Sequence, residues 1–139
     1  MMRGPPLPSP HSPTLVAALE RAVALGVGGL VLVDRHEREE ELDWAALYAL
    51  ARRTAGGIQA LGVRPGDRVA LVLPTGRDFL SAFFGAQLAG AVPVPLYPPA
   101  RLGRLADYHA STAAMVSAAR ARLVLSDART QRQIGRAHV

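Results

Sequence analysis

One segment, residues 61–99, constrains the fold more than any other part of the chain. It opens with a turn signal, because Pro65 fixes its own φ and Gly66 can adopt the positive φ that the next position of a type II turn needs. The run Arg68–Leu73 is then almost entirely apolar, which is typical of a strand covered on both faces in a parallel sheet. The pattern predicts a strand, a crossover helix and a second strand.

The second strand of this unit, Ala91–Leu96, contains two prolines. Pro93 and Pro95 lie two residues apart, so both missing N–H groups point to the same side of the strand. The other side keeps its N–H groups and can pair with a neighbour. We therefore expect this strand at a sheet edge, with its proline side outward.

The remaining elements follow from helical spacing, capping residues and short apolar runs. We predict a helix at Thr14–Gly26, a hairpin of Leu30–Asp34 and Glu40–Asp43, a helix at Trp44–Leu61 capped by Asp43, helices at Arg77–Ala89 and Arg101–Ala119, and a strand at Arg122–Ser126. Gly56 and Gly57 weaken the long helix, and close packing against a sheet would explain them. The fold class is α/β, with three layers, a mostly parallel sheet and right-handed β-α-β crossovers.

Composition excludes several classes of function. The chain has no cysteine, so disulfides, cysteine zinc sites and thiolate catalysis are excluded, and a cytoplasmic location fits. The net charge is +5, but all 16 basic residues are arginines and they are scattered, which argues against nucleic-acid binding. His36 lies among glutamates, and a solvated charged loop explains this better than a metal site.

The sequence also argues against a membrane-spanning helix. Residues 79–96 carry no charge, but Gly90, Pro93 and Pro95 interrupt the helix that a span requires. A buried helix followed by a strand fits this run better, and we expect no transmembrane segment.

Several short segments form an ordered set: Ala60–Val63, Pro65–Ala70, Asp78-Phe79, Phe83–Gly85 and Ala89–Pro95. Together they resemble the N-terminal part of the adenylate-forming, or AMP-binding, superfamily. The ending Leu96–Pro99 resembles the fatty-acyl-AMP ligase branch in particular, and the resemblance covers roughly residues 28–128.

The resemblance implies a parent enzyme that activates a carboxylic acid with ATP and Mg²⁺. The products are an acyl-adenylate and pyrophosphate, and the acyl group then passes to a thiol of CoA or an acyl carrier protein. In the superfamily the phosphate-binding loop, the ribose-binding acidic residue and the catalytic lysine lie beyond this region, and the present chain has no lysine. We therefore assign no catalytic, cofactor-binding or metal-binding residue and expect the chain alone to be inactive. The alternative is a stand-alone α/β interaction or regulatory module without catalysis.

Composition and the resemblance together divide the chain into three parts. Residues 1–13 are interpreted as a disordered proline-rich leader, and residues 14–128 as a truncated N-terminal α/β subdomain of an AMP-binding domain. Residues 129–139 form an irregular tail, in which Ile134–Val139 looks like a translated sequencing adapter.

Tyr97 is the one candidate for substrate contact, since such a segment lies near the acyl-binding half of the superfamily's enzymes. A tyrosine packed between prolines is the alternative. Thr75 and Arg77 follow the carboxyl end of a strand, where ligands bind in open α/β sheets. The plainer interpretation is a helix cap at Thr75 and a surface charge at Arg77.

Overall fold

The computed structural model describes residues 12–98, 105–128 and 130–131. The leader predicted for residues 1–13 and the tail predicted for 129–139 lie almost wholly outside these ranges, as do residues 101–104 of the fourth predicted helix. The helices are α1 (Leu15–Leu25), α2 (Trp44–Ala60), α3 (Arg77–Leu88) and α4 (Leu105–Ala118). The strands are β1 (Gly29–Val33), β2 (Glu39–Asp43), β3 (Arg68–Val72), β4 (Val92–Leu96) and β5 (Ala121–Ser126).

A three-stranded parallel sheet organises the C-terminal part of the described chain. Its order is β4-β3-β5, with Val72 beside Leu96 on one side and Leu71 beside Leu125 on the other. The predicted parallel α/β arrangement is confirmed.

Helices cover both faces of this sheet. Val69 and Leu71 pack with residues of α3, including Ala82 and Ala86, whereas Val72 faces α4. Because β4 and β5 lie on opposite sides of β3 and their connecting helices lie on opposite faces, the two crossovers have the same hand. Parallel connections are right-handed in nearly all proteins. Because helices lie on both faces of the sheet, the three-layer prediction is confirmed.

Strand β4 has β3 as its single strand neighbour among the described residues. The N–H of Val92 donates to the carbonyl of Asp67 at 2.8 Å, so the paired side of the strand is the side without prolines. Pro93 and Pro95 therefore face outward, which confirms the edge prediction.

A second cluster holds the N-terminal elements together. β1 and β2 form an antiparallel hairpin, and Leu19, Leu42 and Leu47 are buried between the hairpin and helices α1 and α2. The Tyr48 hydroxyl donates to Glu20 Oε1 at 2.9 Å, which raises the pKa of Tyr48 and links α2 to α1.

The predicted helix boundaries rest on capping bonds that the structure shows. The Thr14 hydroxyl accepts from Ala17 N at 3.0 Å, and Asp43 Oδ1 accepts from Ala46 N at 2.7 Å. Gly26 ends α1 with φ 69°, a left-handed conformation that favours glycine. The predicted caps at Thr14 and Asp43 and the predicted helix end at Gly26 are thereby confirmed.

The prediction for Gly56 and Gly57 is wrong. A Cβ atom at either position would meet nothing within 4 Å, so neither glycine permits a close approach. The close approach lies on α3, where a Cβ at Gly85 would be 2.8 Å from Thr54 Cβ. The hydroxyls of Thr54 and Ser81 also share a hydrogen bond of 2.7 Å across this contact between α2 and α3.

Two glycine substitutions test this contact. Gly85→Ala should destabilise the chain by about 1–3 kcal/mol, because the added methyl group forces α2 and α3 apart. Gly56→Ala is the matched control and should stabilise by roughly 0.5–1 kcal/mol, because it improves helix propensity in open space. Urea unfolding measures both. Equal effects at the two positions would contradict the packing described.

Candidate functional site

The candidate site lies at the carboxyl ends of β3 and β4, which are adjacent in the sheet. After β3 the chain turns at Pro74 and enters α3 on one face, whereas after β4 it leaves through Tyr97 and leads to α4 on the opposite face. When the loops after two neighbouring strands lead to opposite faces of the sheet, a crevice forms between the strand ends. Open α/β sheets bind ligands in this crevice.

A cavity of about 480 Å³ occupies this position. Its volume is within the usual range for small-molecule pockets. Its walls are mostly apolar, with hydroxyl groups on Thr75 and Tyr97, and none of the described residues that line it is charged. The lining residues are Leu73, Pro74, Thr75, Phe79, Pro95, Leu96, Tyr97 and Pro98.

Tyr97 lies at the rim of the cavity with its side chain in solvent. The residue is 90% exposed, so its side chain is not packed against the described residues. Its main chain is held from α4, because the Tyr108 hydroxyl donates to the Tyr97 carbonyl at 2.7 Å. Sequence reasoning missed Tyr108 as a partner, because no local pattern signals a bond across 11 residues.

Thr75 lines the cavity and does not cap α3. The N-cap residue is Gly76, which makes no side-chain capping bond, so the predicted cap at Thr75 is wrong. The negative charge of Asp78 in the first turn stabilises the start of α3, because it interacts favourably with the positive end of the helix dipole. The Thr75 hydroxyl is thus exposed at the mouth of the cavity.

Arg77 does not point into the cavity with a free charge. Its Nε donates to Glu40 Oε1 at 2.6 Å, and both side chains are about half exposed. The ion pair connects the start of α3 to strand β2 of the hairpin. The predicted surface charge is confirmed, with a partner that the sequence did not reveal.

Charged groups elsewhere form no cation site in the described ranges. No group of three or more histidine, aspartate or glutamate side chains is arranged there so that it could hold a metal ion. His36 Nε2 instead accepts a hydrogen bond from Arg35 Nε at 3.1 Å. Hydrogen bonds from Arg38 to the carboxylate of Asp34 in the same turn lower the pKa of Asp34.

Within the part of the chain that the structure describes, every helix is too short or too polar to cross a lipid bilayer. The uncharged run Phe79–Leu96 forms most of α3 and all of β4.

The bond between Tyr108 and Tyr97 generates a stability prediction. Tyr108→Phe should cost about 0.5–1.5 kcal/mol, because it leaves the Tyr97 carbonyl without this donor. Tyr97→Phe is the matched control and should change stability by less than about 0.5 kcal/mol, because its phenol group is in solvent. Thermal and urea unfolding of the two variants give the comparison. A larger loss for Tyr97→Phe would contradict the geometry.

Comparison with known proteins identifies the relatives of the chain. The sequence pattern of the family described as "AMP-binding enzyme" matches residues 19–138. A putative acyl-CoA synthetase of Caulobacter vibrioides is 37% identical over 114 residues, which are 81% of this chain and 20% of that protein. The long-chain-fatty-acid–AMP ligase FadD32 of Mycolicibacterium smegmatis is 43% identical over 70 residues, or 50% of this chain and 11% of that protein.

Solved structures agree with the sequence relatives. A structure from a study of fatty acyl-adenylate ligases from E. coli and L. pneumophila superposes with a TM-score of 0.84 and 32% identity. It covers 91% of this chain, and this chain spans 23% of its length. Because the family pattern covers most of the sequence and the sheet has the same arrangement, the chain belongs to the family of AMP-binding enzymes.

Proposed function

We propose that these residues are the N-terminal part of a larger ligase that activates a carboxylic acid. A fatty acid is the proposed substrate. The ligase converts the acid and ATP to an acyl-adenylate and pyrophosphate, and the acyl group then passes to a thiol such as that of CoA or an acyl carrier protein. The observation that carries this proposal is the 32% identity and TM-score of 0.84 to a fatty acyl-adenylate ligase over 91% of the chain. The enzyme would act in the cytoplasm.

The described residues do not fit ATP or Mg²⁺. Attack on a phosphate of ATP requires preorganised donors and ligands for a cation, because negative charge develops at the phosphoryl centre in the transition state. The lining of the cavity carries no charged side chain, and Arg77 is engaged by Glu40. We therefore assign the adenylation step to other parts of the larger protein and propose that the chain alone is inactive.

The contribution of this chain is a wall of the acid-binding region. Its cavity is apolar, so it suits an uncharged part of the substrate better than the carboxylate or the phosphates. Tyr97 is the residue that we assign to substrate contact. Its exposure at the rim supports this role, as does the Tyr108 bond that holds its main chain.

An exchange assay tests the proposed reaction. The protein expressed from the complete coding sequence should catalyse fatty-acid-dependent exchange between ATP and labelled pyrophosphate, and the same protein without acid is the control. The 139-residue chain should give no exchange above background. Exchange by the 139 residues alone would refute their inactivity, and a complete protein that activates no carboxylic acid would refute the reaction.

The role of Tyr97 has its own test in the same assay. Tyr97→Ala should raise KM for the acid about fivefold with kcat little changed, because an aromatic contact of about 1 kcal/mol is lost from substrate and transition state alike. Arg64→Ala is the control, since Arg64 lies in the turn at the opposite end of β3. Unchanged KM in Tyr97→Ala would exclude the contact.

A further inference from the structure

Phe79 differs from the other described residues that line the cavity at the strand ends, because it comes from a helix. The others belong to β4 or to the segments that follow β3 and β4. Long side chains of an α-helix lean toward the N-terminus of the helix. Since α3 begins at Arg77, the ring of Phe79 leans back over the loop at residues 74–76 and toward the cavity.

The lining residues differ in burial, and this difference gives the cavity an inner end and a mouth. Leu73 is buried, and Phe79 is partly buried and packs against the core of the sheet. Thr75 and Tyr97 are exposed. Leu73 and Phe79 therefore close the inner end of the cavity, and the mouth lies between Thr75 and Tyr97.

A second aromatic ring supports Phe79. Phe79 and Phe83 lie one turn apart on α3, and their rings stack with centroids 5.9 Å apart and an interplanar angle of 21°. The ring of Phe83 meets that of Phe84 edge to face, with centroids 5.5 Å apart. Phe83 does not line the cavity. The stacked ring therefore restricts how far Phe79 can withdraw from the inner end.

The rest of the lining offers little room for adjustment. Proline has a fixed φ, and three of the described lining residues are prolines, namely Pro74, Pro95 and Pro98. Leu73 belongs to the same buried cluster as Val69 and Leu71 of β3, so its displacement would disturb a close-packed core. The size of the side chain at position 79 therefore sets the depth of the cavity.

The polarity of the cavity fixes the direction in which an acid could enter it. The side chains of Leu73 and Phe79 are hydrocarbons, so the inner end has no side-chain donor for a carboxylate. Burial of a carboxylate without a partner is costly. An acid would therefore enter with its apolar end first and keep its carboxylate near the mouth.

We propose that Phe79 is a specificity-determining residue, which limits the length of the apolar tail of the acid. The end of the tail meets the ring of Phe79, and longer tails do not fit. This inference rests on the proposed function, because the cavity must receive the acid. It deepens that function by naming the side chain that selects among acids.

The experiment measures kcat/KM for straight-chain saturated acids of increasing length. It uses the protein expressed from the complete coding sequence and exchange between ATP and labelled pyrophosphate. In the unmodified protein, kcat/KM should rise about threefold to fourfold per CH₂ until the tail fills the cavity, because each methylene leaves water. The first acid that is too long should then be used about tenfold less well, since one methylene in a fitted apolar pocket changes kcat/KM by roughly 10–200-fold.

Substitutions of Phe79 should move the optimum length in opposite directions. Phe79→Ala should move it to acids about three carbon atoms longer, because a cavity of roughly 150 Å³ left by truncation of a large apolar side chain holds a six-carbon ring. Phe79→Trp should move it to shorter acids, because the indole is larger than the phenyl ring.

Phe84→Ala is the matched control, since it removes the same atoms from the same helix. Phe84 packs with the cluster of α1 and the hairpin and does not line the cavity. This variant should lose stability and keep the optimum length of the unmodified protein. Phe79→Leu and Phe84→Leu form a milder pair if the alanine variants do not fold.

The outcomes separate this inference from the reaction on which it rests. An optimum length that stays the same in active Phe79 variants would overturn the role of Phe79 and leave the proposed reaction intact. The same shift in the Phe84 variants would also overturn it, because the effect would then come from a general loss of packing. A complete protein that gives no exchange with any carboxylic acid would overturn both.

Discussion

Burial of strand β3 on both of its faces is the constraint on which the rest of the structure depends. Val69, Ala70, Leu71 and Val72 have no exposed surface, so each side of the strand must be covered by a different layer. Full burial of a valine or leucine side chain contributes roughly 1.5–3 kcal/mol to stability. Because successive side chains of a strand point to opposite faces, burial of all four requires a cover on each face. Helix α3 covers one face and helix α4 covers the other. Strands β4 and β5 can reach their places beside β3 only through crossovers that leave the sheet in opposite directions.

The two concave regions are consequences of this arrangement. The cavity beside Tyr97 opens because the chain leaves β3 and β4 toward opposite faces. A larger concavity of about 760 Å³ lies between α4 and the sheet, where α4 carries small residues such as Ala113. Helix α4 takes part in both, since Tyr108 holds the Tyr97 carbonyl and Thr112, one turn later, lines the larger concavity. The cavity lining is uncharged, whereas the lining of the larger concavity includes Arg120.

Sequence patterns predicted the secondary structure closely where the signal is local. The caps at Thr14 and Asp43 and the outward prolines of β4 depend on a residue and its near neighbours, and the structure confirms all three. Predictions that required a partner from another element did less well. Gly56 and Gly57 face open space, whereas Gly85, for which no packing role was predicted, is where α2 and α3 touch. Thr75 has the chemistry of a cap but lines the cavity, because α3 begins one residue later than a threonine cap would require.

The division between sequence and tertiary structure is therefore a division between local and distant contacts. The sequence by itself determined the fold class, the order of the elements and the edge position of β4, because hydrophobic period, proline geometry and glycine turns act over a few residues. The resemblance to adenylate-forming enzymes was also visible in the sequence, as an ordered set of short residue matches. Only the tertiary structure decided that the strand order is β4-β3-β5, that Arg77 pairs with Glu40 and that Tyr108 holds Tyr97. These contacts join residues whose separation along the chain carries no periodic signal, so they become visible only when packing of the central strand brings them together.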